Sequence, residues 1–60
     1  MLKEEIEKEL RKGSSFQIND LVRLFGERNR NIIKKIVKQL VLEGRVCVFR
    51  AGRQYFYVVV

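Results

Sequence analysis

The sequence contains no histidine, no proline and no tryptophan, and Cys47 is its only cysteine. A lone thiol forms neither an internal disulfide nor a zinc site of the Cys/His kind. Two devices by which very small domains supplement a thin core are therefore closed, and oligomerisation remains open. No apolar run approaches the ~18 residues that a membrane span needs. The segment Met1-Leu2-Lys3-Glu4-Glu5 is charged where a signal peptide would be apolar, so a cytoplasmic protein is expected. No carboxylate pair stands outside a salt-laced helix, and no glycine-rich loop suits a phosphate, so an enzyme is not expected. With 60 residues, a single domain spanning 1–60 is expected. A chain of this size buries only ~60% of its unfolded surface. It has no room for a cofactor domain beside a substrate pocket, and no cofactor, metal or small-molecule ligand is expected.

Acidic residues are scarce in one half of the chain. The formal net charge is +6, yet residues 1–27 sum to −1 and residues 28–60 to +7, with Glu43 the one acid in the second half. A charge serving solubility alone has no reason to segregate in this way. The asymmetry points to a polyanionic partner.

The apolar pattern predicts the elements. Leu2, Ile6 and Leu10 form one stripe of a helix over 2–12, supported by the pairs Glu4–Lys8 and Glu7–Arg11 and stopped by Gly13. Ser14 and Ser15 form a turn. Phe16-Gln17-Ile18 alternates as a short strand would. Asn19 is the expected N-cap of a second helix from Asp20 to about Phe25, ended by Gly26. After a polar turn, a third helix runs from about Arg30 to Glu43. On a wheel of about 100° per residue, Ile33, Ile36, Val37, Leu40 and Val41 share one face. Asn31, Lys34, Lys35 and Lys38 share the opposite one. Gly44 ends the helix. Arg45 to Arg50 and Gln54 to Val60 then read as two strands around the turn Ala51-Gly52-Arg53.

In their order and spacing these residues resemble a winged helix-turn-helix domain over nearly the whole chain. Asp20 to Gly26 is similar to the first helix of that motif. Ile33, Val37 and Leu40 stand eleven, seven and four positions before Gly44, as in a recognition helix. Val46 and the run Gly52-Arg53-Gln54-Tyr55-Phe56 look like the start and return of a wing. The expected fold class is α+β: three helices, a β-hairpin wing and a possible short third strand.

The resemblance implies a DNA-binding transcription regulator whose third helix enters the major groove of duplex DNA. Helix length and charge agree with that. Arg30 and Asn31 are the expected base readers, with Asn29 or Asn31 alternatively serving as helix caps. Arg28, Lys34, Lys35 and Lys38 are assigned to phosphates. Arg50, Arg53 and Gln54 make up the wing's contacts, Arg53 reaching the minor groove. Arg45 is expected to interact with the last carbonyls of the helix.

The final strand is apolar on both faces: Tyr55, Tyr57 and Val59 point one way, Phe56, Val58 and Val60 the other. A homodimer burying the outer sheet face, the first helix or both is therefore expected, with Cys47 a buried small hydrophobe. Two alternatives stay open. One is a winged-helix module for protein–protein interaction; the other is a binder of structured nucleic acid or of duplexes regardless of sequence.

Overall fold

Ile6 and Leu10 lie one helical turn apart, and both are buried against the rest of the chain. They anchor α1 (Leu2–Leu10), the first element of a computed structural model that describes residues 2–13 and 15–60. Four further elements follow: α2 (Ile18–Phe25), α3 (Arg30–Leu42), β1 (Val46–Ala51) and β2 (Gln54–Val59). A single 3-10 turn, Glu27–Asn29, joins α2 to α3. The architecture is α+β, three helices followed by an antiparallel hairpin in a winged-helix-like arrangement.

The core takes one stripe from each helix: Ile6 and Leu10, Leu21 and Val22, then Ile33, Val37 and Leu40. Phe16 and Val46 complete it, and Tyr57 and Val59 of the inner sheet face pack against it. This is the pattern that the 3.6-residue period of the apolar positions requires. No side-chain nitrogen or oxygen is left buried without a hydrogen-bond partner among the described residues.

Local chemistry sets the element ends. Gly44 has φ +78°, and the bonds Arg45 N–H to Leu40 carbonyl (3.0 Å) and Gly44 N–H to Val41 carbonyl (3.1 Å) close α3 in a Schellman motif. The hairpin pairs Ala51 with Gln54, so Gly52 and Arg53 form a two-residue loop. Only Gly52 takes a positive φ, +65°, which is the pattern of a type II′ turn.

Four local expectations are corrected. First, α2 begins at Ile18 and its N-cap is Gln17, not Asn19. The Asp20 carboxylate accepts the Gln17 backbone N–H at 2.9 Å, which moves the start of the helix upstream. Second, Phe16-Gln17-Ile18 is not a strand. Only Phe16 pairs, exchanging bonds of 3.0 and 2.9 Å with Tyr57, and the two rings stack 5.4 Å apart. Third, Cys47 is exposed. It lies on the outer hairpin face opposite Val58, beside the stacked pair Phe49–Phe56. A two-stranded sheet has helices on one side only, so alternate β1 residues stay uncovered. Fourth, α1 ends at Leu10, short of the expected Lys12. Of the turn expected at Ser14-Ser15, Ser14 lies outside the described residues.

Candidate functional site

The exposed face of α3 and the inner face of the hairpin do not meet. Between them lies an open groove of ≈ 610 Å³, closed at one end by the first residues of α2. From α3 it receives Arg30, Lys34, Lys38 and Val41, which follow one another at helical spacing. From the hairpin it receives Val48, Tyr55 and Tyr57, with Arg53 and Gln54 at the tip. Val48 and Tyr55 remain about half exposed, at 44% and 54%. An apolar floor is thus open to solvent between two basic walls. Among the described residues, no acidic side chain lines the groove.

The ten residues expected to contact DNA fall into three groups. Lys34, Lys38, Arg53 and Gln54 line the groove with Arg30. Lys34, Lys38 and Arg53 are exposed, and none of them is in an ion pair among the described residues. Arg28, Asn31 and Lys35 are also exposed but lie off the groove. The remainder are engaged within the chain, against expectation. Arg30 holds Glu27 through Nη2 at 2.9 Å, and its Nη1 donates to Asn19 Oδ1 at 3.0 Å. It is a fixed strut between α2 and α3, not a free base reader. Asn29 Nδ2 donates to the Phe25 carbonyl at 2.6 Å, which satisfies the end of α2. Arg50 Nε folds back onto the Gly52 carbonyl at 2.8 Å, with its guanidinium 6.0 Å from the Tyr55 ring centre.

A second polar cluster fastens α1 to the end of α3. Arg45 Nη1 reaches Glu7, and Arg45 Nε stands 3.7 Å from Glu43. Its side chain therefore serves two carboxylates, not the last carbonyls of α3 as expected. Glu43 also accepts from Gln39 Nε2 at 3.1 Å and Lys3 Nζ at 3.3 Å. The Gln39 bond, followed by the Lys3 bond and the nearby positive charges, holds the Glu43 carboxyl below the ordinary range for glutamate. Here the charges are matched, whereas in the groove they are not.

No group of three or more His, Cys, Asp or Glu side chains able to hold a metal ion occurs among the described residues. No helix among the described residues is long and apolar enough to cross a membrane.

The family model described as Dissimilatory sulfite reductase D (DsrD) matches residues 1–59. No curated protein and no solved structure matches the chain. The family match overturns the expected membership among winged-helix transcription regulators. Transcription regulation, DNA binding and duplex DNA as the partner are overturned with it. The physical reason is that helix order, apolar spacing and the glycine-turned hairpin are packing requirements of the architecture. They report the fold, and function resides in sites grafted on a fold. A surplus of positive charge calls for a negatively charged partner without specifying a nucleic acid.

Proposed function

The chain belongs to the dissimilatory sulfite reductase D family, and from that premise we propose that it is an accessory protein that docks on dissimilatory sulfite reductase. It binds as a folded surface and contributes no catalytic group. The observation that carries this reading is the family match over residues 1–59. The surface supports it: cations without acidic partners stand beside solvent-exposed Val48 and Tyr55. Apolar contact supplies affinity at such a surface, and charge supplies steering and register. The absence of histidine from the sequence fits a role without acid–base chemistry. A reducing cytoplasm suits the exposed free thiol of Cys47.

The test is direct. Purified reductase is titrated into the labelled chain and the complex is followed by sedimentation velocity. A saturable complex with Kd around 1 μM, about −8 kcal/mol, is expected. In parallel, the chain alone consumes no sulfite. No complex at tens of micromolar of each component sinks the docking role, and sulfite turnover by the isolated chain sinks the non-catalytic one.

A further inference from the structure

We propose that the groove between α3 and the hairpin is the docking site itself, and that its occupant is an acidic segment of the partner protein carrying an aromatic or branched apolar side chain. The proposal rests on the accessory role above and adds the surface and the chemistry of what it holds.

Four observations converge. Lys34, Lys38 and Arg53 converge on one open groove, and none has an anionic partner among the described residues. The other arginines that the sequence placed with them, Arg30 and Arg50, are held by Glu27 and by the Gly52 carbonyl. Arg28 and Lys35 are also exposed and without an ion pair among the described residues, but they lie off the groove. Lys34, Lys38 and Arg53 are thus the free cations that share one concavity with an apolar floor. Lys34 and Lys38 stand four residues apart on one helix, where like charges repel. Carboxylates from outside would remove that repulsion.

The floor argues against a bare polyanion. Val41, Val48, Tyr55 and Tyr57 lie between the basic walls, and Tyr55 is 54% exposed. A phosphate backbone leaves such a floor wet, whereas one apolar side chain flanked by carboxylates covers it and meets both walls. The volume, ≈ 610 Å³, falls in the range of about 300–1,000 Å³ typical of pockets that enclose a compact ligand. At the tip, the exposed Gln54 offers an amide able to pair with an extended backbone.

Another apolar patch, the exposed Phe49 and the half-buried Phe56 on the outer hairpin face, is the comparison surface, and no charged residue of β1 or β2 shares that face. Charge complementarity therefore selects the groove.

The experiment has two arms. In the first, the variant Lys34→Glu/Lys38→Glu/Arg53→Glu and the milder Tyr55→Ser are titrated against the reductase, with folding checked by circular dichroism. All four side chains are exposed, so both variants are expected to fold. Binding should weaken by about tenfold or more in the triple variant and measurably in Tyr55→Ser. If wild type binds and both variants bind equally well, while Phe49→Ser/Phe56→Ser does not bind, the groove is wrong and the accessory role stands. If wild type itself fails to bind, the accessory role falls.

The second arm is independent of the reductase. A synthetic peptide with one phenylalanine flanked by glutamates is titrated into the chain and followed by amide NMR shifts. Shifts at Lys38, Val41, Val48 and Tyr55 support the proposal. Shifts confined to Cys47, Phe49, Phe56 and Val58, or none, overturn it. Tighter occupancy of the groove by a random DNA duplex at physiological salt overturns it as well.

Discussion

Arg45 Nη1 lies 3.1 and 3.2 Å from the two carboxylate oxygens of Glu7, joining the turn after α3 to the middle of α1. Glu7 is 21% exposed in its side chain and Arg45 60%, so water competes for both. A double-mutant cycle with Glu7→Gln and Arg45→Gln should give a coupling below about 1 kcal/mol, read from urea midpoints. The coupling should shrink as salt is raised. A coupling of several kcal/mol that salt leaves untouched contradicts the exposed geometry.

Ile33 is fully buried at 0% exposure in the core of the fold. Ile33→Val should cost about 0.5–1.5 kcal/mol and Ile33→Ala about 2–5 kcal/mol. A core this small rarely supplies more than about 3–5 kcal/mol. Ile33→Ala should therefore be largely unfolded at body temperature by circular dichroism, while Ile33→Val retains a cooperative melt at a lower midpoint.

Glu43 gives a pH dependence whose sign follows from its partners. Gln39 and Lys3 hold its folded-state pKa below the ordinary glutamate value, which is about 4.3. The stabilisation it contributes is fully present above that ordinary value, and it is lost as pH falls through the lower, folded-state value. NMR titration of the Glu43 carboxyl should show the depression directly. Gln39→Ala, which removes the largest cause, should move the midpoint back toward the ordinary value. An unchanged midpoint in that variant would reassign the effect.

At Gly44 the strain is purely in the backbone. A Cβ built there meets nothing within 4 Å, yet φ is +78°. Gly44→Ala should cost about 1–2 kcal/mol, whereas a D-alanine placed there by synthesis should cost nothing. Since the L-Cβ meets nothing within 4 Å, a destabilised L-variant beside an unaffected D-variant in thermal melts would assign the cost to the positive φ.

Cys47 is exposed, so a maleimide should label the native protein stoichiometrically without prior unfolding. Labelling that appears only in denaturant would return the thiol to the interior, where a small hydrophobe was expected.

The elements themselves were legible because their signals are periodic. The stripes Ile6–Leu10 and Ile33–Val37–Leu40 each repeat at helical spacing, and all five residues are buried. Gly44 and Gly52 marked their turns because both positions take positive φ. What escaped were interactions that depend on where an element ends or which neighbour comes near. Asn19 has the composition of an N-cap, but Asp20 set the helix start two residues earlier by accepting the Gln17 N–H. That left the Asn19 side-chain oxygen, Oδ1, for Arg30. Arg30 and Arg53 look alike in the sequence. Glu27 precedes Arg30 by three residues and claims it, whereas no carboxylate stands within one helical turn of Arg53 in the sequence. That spacing was available as a signal and separates the committed arginine from the free one. The groove could be read only in part, since α3 and the hairpin are far apart in sequence and their facing depends on packing. The partner class was not legible in the charge, because an acidic protein surface and a phosphate backbone call for the same lysines.

The Phe16–Tyr57 bridge is a clasp between distant parts of the chain. Such a contact closes a long loop, at an entropic cost that must be met before any contact rewards it. Ile18 and Tyr57, on opposite sides of the groove, come together only when that clasp is shut. The groove is accordingly expected to open before the helical core does. Amide exchange at Phe16 and Tyr57 should outrun exchange at Val37 and Leu40, and an occupant that fills the groove should slow it. Docking and completion of the fold are then one equilibrium, and a partner that holds the groove also holds the chain closed.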